Sequence, residues 1–209
     1  MATIINVDIP KHIIRPLRLK LEFLFDNLEC TRIILVDEKT SLDDFHTMIQ
    51  ACGNWLNYHL YDFKFVYKGK LVQAEPRWQI EHLEDFTPEI KKYDATKITV
   101  EQALSSFPSM LYSYDYGDGW KIAVTNMGYH WEQDFKTLPC LEKGQGAWPP
   151  DDVGGEGGFE DFLRAWDDKE DSEHESCREW GSSQGFEKFS AAKANRRLAK
   201  WQEFKALDE

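Results

Sequence analysis

"LYSYDYGDGWKIAVT", residues 111–125, sets aromatic and apolar runs on either side of Asp115, Gly117, Asp118 and Gly119. Two β-type runs joined through Gly-Asp-Gly read as an antiparallel hairpin, with Gly117, Asp118 and Gly119 expected to supply the positive φ values of a tight turn. An antiparallel sheet is therefore the starting point for the fold. Just upstream, Thr99 and Gln102 in "ITVEQALSSF" form a capping box that opens a short helix, and Pro108 stops it from continuing.

Further toward the N-terminus, "LRLKLEFLF" alternates Leu17, Leu19, Leu21, Phe23 and Phe25 with Arg18, Lys20 and Glu22, a strand with one wet face. "CTRIILV" (30–36) pairs with it across a short connection. The period then changes. In residues 41–53, Leu42, Phe45, Ile49 and Cys52 recur at helical spacing, Ser41 caps with Asp44 three residues on, and Gly53 is expected to close the end. "YDFKFVY" (61–67) alternates again, so the chain opens strand, strand, helix, strand, an order compatible with a ubiquitin-like half. Residues 72–93, with Pro76, Pro88 and several acids, read as an exposed excursion. Residues 144–158, with two prolines and six glycines, read as a surface loop, followed by a helix carrying Phe159, Phe162, Leu163 and Trp166. A last helix is expected over 189–207, with Ala194, Leu198 and Trp201 on one side.

The chain has 209 residues, 42% of them hydrophobic, enough for one substantial core. The reading is a single α+β domain over 1–180 with the acidic glycine-rich loop 144–158, and a C-terminal helix in 181–209 packed on it. The sheet is mostly antiparallel, with helices on one face. No apolar run is long enough to cross a membrane, and residues 1–20 lack the pattern of a secretory leader, so a cytoplasmic location is expected. Cys30, Cys52, Cys140 and Cys177 stand apart, as reduced thiols would. The net charge is −12, and residues 151–180 hold 12 acids against three bases, a local excess of 12 − 3 = 9 negative charges. Such a surface disfavours direct nucleic-acid binding and favours a cation or a basic partner, unless it is only a solvated face. Arg196 and Arg197, beside Lys193, Lys200 and Lys205, make a small basic face on the last helix.

Three stretches, "SLDDFHTMIQACGNWLNYHLYDF" (41–63), "YSYDYGDGWKIAV" (112–124) and "PPDDVGGEGGFEDFL" (149–163), with "PCL" (139–141) before the third and "ANRRLAKW" (194–201) after it, resemble the plasmid pRiA4b ORF-3-like family. They stand in the family's order and span most of the chain. The resemblance implies an association with mobile elements, and it brings no established activity.

The candidate chemistry lies in carboxylates and imidazoles. Asp115, Asp118 and Trp120 at the hairpin, and Asp151, Asp152 and Glu156 beside the glycines, could line one acidic groove or take part in a divalent-cation site. Turn geometry alone also explains Asp and Gly at such positions. His46 and His59 are candidate ligands or bases, or polar residues that anchor the first helix to the sheet. His130 and His174 are isolated in the sequence and receive no role. No phosphate-cradling Gly-Lys-Ser/Thr ending follows the glycines, and Ser105, Ser106 and Tyr112 lack the arginines a resolvase nucleophile needs. The expected function is a non-catalytic binding or regulatory module that uses the acidic groove for an unknown protein partner, a cationic ligand or a divalent cation. The alternatives are a metal-dependent hydrolase or nuclease built on the clustered carboxylates, and an acidic protein that imitates DNA.

Overall fold

A computed structural model describes residues 15–85, 87–130 and 137–205. The chain forms an α+β domain around one sheet of eight strands: β1 (Pro16–Phe23), β2 (Thr31–Asp37), β3 (Tyr61–Tyr67), β4 (Lys70–Glu75), β5 (Lys91–Asp94), β6 (Ser109–Tyr114), β7 (Trp120–Tyr129) and β8 (Cys140–Gln145). Their spatial order is β5-β4-β3-β6-β7-β1-β2-β8, and every pairing is antiparallel except β4 with β5. The β6–β7 hairpin lies between the opening hairpin and β3, so the strand-strand-helix-strand opening is present in sequence while β3 and β1 are not neighbours.

Alternation decides the faces. Leu17, Leu19, Leu21 and Phe23 of β1, Phe63 and Phe65 of β3, Tyr112 and Tyr114 of β6, and Trp120, Ile122 and Val124 of β7 are all buried. Against them packs α1 (Leu42–Gly53), capped by the Ser41 side chain accepting from the Asp44 N–H at 3.0 Å. Such a cap is worth about 1 kcal/mol. Asn54, not Gly53, takes the left-handed position that ends α1. Gly53 is required for a different reason: a Cβ there would lie 2.2 Å from Trp148 Nε1. Residues 72–93 are not a mere excursion, because Val72 and Ala74 sit opposite Phe65 and Phe63 and complete the buried face. Period-2 reading missed β4 because its other side chains, Gln73 and Glu75, are buried too, on the far face. There Gln79 of α2 (Arg77–His82) reaches Glu75, its Nε2 donating to Glu75 Oε2 at 2.6 Å, and Gln73 Nε2 donates to the same carboxylate oxygen at 2.9 Å.

Between β5 and β6, α3 (Val100–Leu104) has the expected Thr99–Gln102 capping box. Past β8, α4 (Gly155–Asp167) begins four residues before Phe159, so part of the anticipated loop is helix. Phe159, Phe162 and Trp166 pack with Trp180 and Phe186, which brings in α5 (His174–Ser183), a helix hidden in the sequence by its density of charge. The anticipated last helix divides into α6 (Ala191–Leu198) and a 3-10 turn at Trp201–Phe204, and residues 206 and 207 lie outside the described residues. Asn195 of α6 binds the backbone of edge strand β8 like a neighbouring strand: its Oδ1 accepts from Leu141 N at 2.7 Å and its Nδ2 donates to Leu141 O at 3.0 Å. Among the described residues, no helix is long and apolar enough to cross a membrane.

Candidate functional site at the hairpin tip

Three segments meet at the tip of the β6–β7 hairpin. Asp115 has φ 51°, and its carboxylate Oδ1 accepts from the N–H groups of Gly117 (3.0 Å) and Asp118 (3.3 Å). The turn closes through the Gly119 N–H, which donates to the Asp115 carbonyl at 2.6 Å, so the positive φ values fall on Asp115 and Gly119 and not on Gly117 or Asp118. The segment after α1 is fixed from two sides. Trp55 is fully buried, its ring 4.5 Å from that of Tyr114, and its Nε1 donates to Pro149 O at 2.8 Å. A few residues on, Asp115 N donates to Leu60 O at 3.0 Å, which places His59 beside Asp115.

The glycine-rich segment supplies the third side. Gly154 N donates to Asp118 Oδ2 at 3.1 Å, and a Cβ on Gly155 would stand 3.0 Å from Asp118 O, so glycine permits the close approach. This contact carries Asp152 to His59. His59 Nε2 lies 3.2 Å from Asp152 Oδ1 and 3.5 Å from Asp115 Oδ2, yet it makes no hydrogen bond of acceptable geometry to either. Both carboxylates are held by their other oxygen: Asp115 Oδ1 by the turn, and Asp152 Oδ2 by the Tyr58 hydroxyl at 2.7 Å. Local desolvation of the hydroxyl, the bond to Asp152 and the neighbouring carboxylates push the Tyr58 hydroxyl well above its ordinary value, although the residue as a whole is half exposed. Asp115 and Asp152 (φ 58°) are both left-handed non-glycine residues, a conformation that costs on the order of 1–3 kcal/mol and persists where surrounding contacts over-determine it.

His59, Asp115 and Asp152 each offer one ligand atom within 4.8 Å of the other two, the one such group of His, Cys, Asp and Glu among the described residues. Bonds of about 2.1 Å meeting at tetrahedral or octahedral angles separate adjacent ligand atoms by about 3.0–3.4 Å, which the two measured distances approach. One imidazole with two carboxylates suits zinc, manganese or iron(II) better than the hard cations the carboxylates alone suggest. Asp152 is 59% exposed at its side chain and Asp115 8%, so the trio opens to solvent on the Asp152 side, next to exposed Leu56 and Tyr58.

The other candidate residues lie elsewhere. Asp151 is buried and turned inward, accepting from Leu56 N (2.8 Å) and from the Tyr114 hydroxyl (3.1 Å), and burial pushes its carboxyl up to about 6. Trp120 is only 3% exposed and packs edge-on to Phe23 and Phe25, a core residue and not part of a ligand surface. Glu156 Oε1 binds the backbone N–H groups of Asp26 (2.6 Å) and Asn27 (3.2 Å), away from the trio. His46 lies under α1, stacked 3.6 Å from Tyr61, with Nδ1 2.8 Å from the Tyr112 hydroxyl and Nε2 2.5 Å from Asn57 Oδ1. It anchors the helix to the sheet and has no access to a ligand. Burial raises the thiols of Cys30 to about 12 and Cys52 to about 11, which leaves them inert. Tyr58 was missed by sequence reasoning, since its hydroxyl acquires a role only when loop 146–154 folds against it.

The fold and the tip define a class: an eight-stranded α+β domain that gathers a histidine and two strained aspartates from three distant segments. The chain belongs to the plasmid pRiA4b ORF-3-like protein family, whose pattern matches residues 15–196. It is 27% identical over 180 residues to a protein of Sinorhizobium fredii (strain NBRC 101917 / NGR234) called "Uncharacterized protein y4hQ", a match covering 82% of this chain and 84% of that one. The crystal structure of the protein of unknown function MM3350 from Methanosarcina mazei Go1 is similar in fold, with a TM-score of 0.71 and 26% identity over 87% of this chain and 98% of that one.

Proposed function

We propose that the protein is a non-catalytic recognition module whose hairpin-tip site holds one divalent transition-metal ion between His59, Asp115 and Asp152. The observation that carries this reading is the position of His59 Nε2, shielded from solvent between two carboxylate oxygens at 3.2 and 3.5 Å with no hydrogen bond to either. Three ligands leave coordination positions open toward solvent, where a partner's carboxylate or imidazole can complete the set. The plasmid in the family's description supports carriage on mobile DNA.

Chelator-treated protein is expected to take up one equivalent of Mn²⁺ or Zn²⁺ in calorimetric titration. His59→Ala and Asp152→Asn should each weaken that binding by at least about 100-fold, more than the 10–100-fold typical of groups that only orient a ligand. Asp118→Asn, which keeps the acceptor for Gly154, should change it little. Absence of saturable uptake by the wild type, or unaltered affinity in Asp152→Asn, would overturn the assignment. A hydrolytic reading draws support from the open positions, but it needs a base beside a metal-bound water. Asp151, next to Asp152 in the chain, has both oxygens engaged in the core, and Asp118 Oδ2 is held by the Gly154 N–H. Manganese-dependent cleavage of a phosphodiester, lost in Asp152→Asn, would replace the recognition role with that one.

A further inference from the structure

Arg32 is a buried arginine that makes no ion pair among the described residues. It is 2% exposed in β2, and its Nη atoms donate only to backbone carbonyls: Thr31 O (2.7 Å), Gln145 O (2.6 Å) and Gly146 O (3.0 Å). The guanidinium lies 4.1 Å from the Phe189 ring centroid and 5.4 Å from that of Trp148. Gly144 makes room for it, since a Cβ there would come within 2.6 Å of Arg32 Cδ. Two buried donors at this place have no acceptor within hydrogen-bond geometry, Arg32 Nε and Trp148 Nε1, although the Cys30 thiol lies beside the guanidinium. Both residues line one small cavity of about 20 Å³, together with Cys52, Gly53 and the 184–190 segment.

The lining is rich in donors and positive charge. Arg32 and Arg197 line it against Glu187, which is already bound by Arg197 and Lys193, while Lys188, also in the lining, is paired with Asp167. Three of the nearby carbonyls are taken: Pro149 O by Trp55, Cys52 O by Arg197, and Gly185 O by Asn54. A water there would satisfy the two N–H groups but would leave the arginine's charge uncompensated. A monatomic anion does both, and the volume, somewhat above the roughly 10–15 Å³ that one water needs, admits nothing as large as phosphate. From these contacts we infer that the cavity between Arg32 and Trp148 binds a chloride-sized anion through the Nε–H and Nε1–H groups, and that this anion stabilises the junction of β2, β8 and the 184–190 segment.

The experiment is thermal unfolding of the full chain in sodium chloride against sodium gluconate at equal ionic strength, gluconate being too large to enter. Above the Kd, the wild-type Tm should rise by roughly 3–5 °C for each tenfold increase in chloride. Trp148→Phe keeps an aromatic ring, though a smaller one, and removes one donor, and should lose most of that increment whatever its own starting stability. Arg32→Met removes the charge, but its folding is less assured, so crystals grown in bromide supply the second readout: an anomalous peak within hydrogen-bond distance of both nitrogens. Equal Tm values for the wild type in the two salts would sink the proposal. An ordered water in place of the bromide peak would do the same.

Discussion

A protein carrying His46→Phe is expected to lose about 3 kcal/mol less stability than the wild type when the pH falls from 7 to 4. The reason is a directional chain of hydrogen bonds beneath α1. Asn57 Nδ2 donates to Phe204 O, which orients the amide so that its Oδ1 accepts from His46 Nε2. His46 Nδ1 is then the acceptor for the Tyr112 hydroxyl, which in turn accepts from Gln50 Nε2. A second proton on the ring would turn an acceptor into a donor facing another donor. Burial therefore holds the His46 imidazolium pKa down at about 3, against 6.5 when exposed.

A pKa lower in the folded than in the unfolded state means that the unfolded chain binds the extra proton. The stabilisation is thus complete above about pH 6.5 and is lost progressively as the pH falls toward 3. Asp151, raised to about 6 by burial, works in the opposite sense between about pH 4 and 6. Both proteins keep Asp151, so the difference between their profiles isolates His46. Denaturant unfolding at pH 7, 5.5 and 4, with chelator present, gives the comparison. Parallel profiles would show that the ring titrates normally, contrary to its burial.

The second large effect lies in the glycine-rich segment. Gly158→Ala is expected to cost about 1–3 kcal/mol or more, because the new Cβ would stand 2.1 Å from the Val153 carbonyl oxygen, a backbone atom that cannot yield without moving the loop. That loop carries Asp152, so the same substitution should weaken metal uptake at the hairpin tip even though Gly158 touches no ligand residue. Gly157→Ala is the matched control. A Cβ at Gly157 meets nothing within 4 Å, and the residue lies in α4, so alanine there should be neutral or stabilise by up to about 1 kcal/mol. Equal stability of the two variants would mean that the loop adjusts freely and that its glycines serve flexibility rather than packing.

That pair of glycines shows where sequence reading was sound and where it stopped. Glycine density marked residues 144–158 as a surface loop and put acids beside the glycines, but it did not say what the glycines admit. The structure gives the close approach to Asp118 O and Val153 O. The aspartates were equally ambiguous. Asp151 and Asp152 are adjacent in the chain, yet one is sealed against Tyr114 and the other faces His59, because the left-handed turn at Asp152 reverses the direction of its side chain. Trp120 and His46 look like site residues by type alone. Their burial removes them, and burial is set by what packs above a strand or helix, which local pattern does not record.

By itself the sequence determined what nearest neighbours encode. The β6–β7 hairpin, the capped and amphipathic α1, the one-faced strands β1 and β3 and the Thr99–Gln102 cap each rest on residues within a few positions of one another, through alternation, helical spacing and turn chemistry. Tertiary structure alone decided the strand order, the parallel edge strand β5, the hidden helix α5, and the meeting of His59 with Asp115 and Asp152. Those depend on contacts between segments dozens of residues apart, whose distances are fixed only when the sheet closes and its core excludes water.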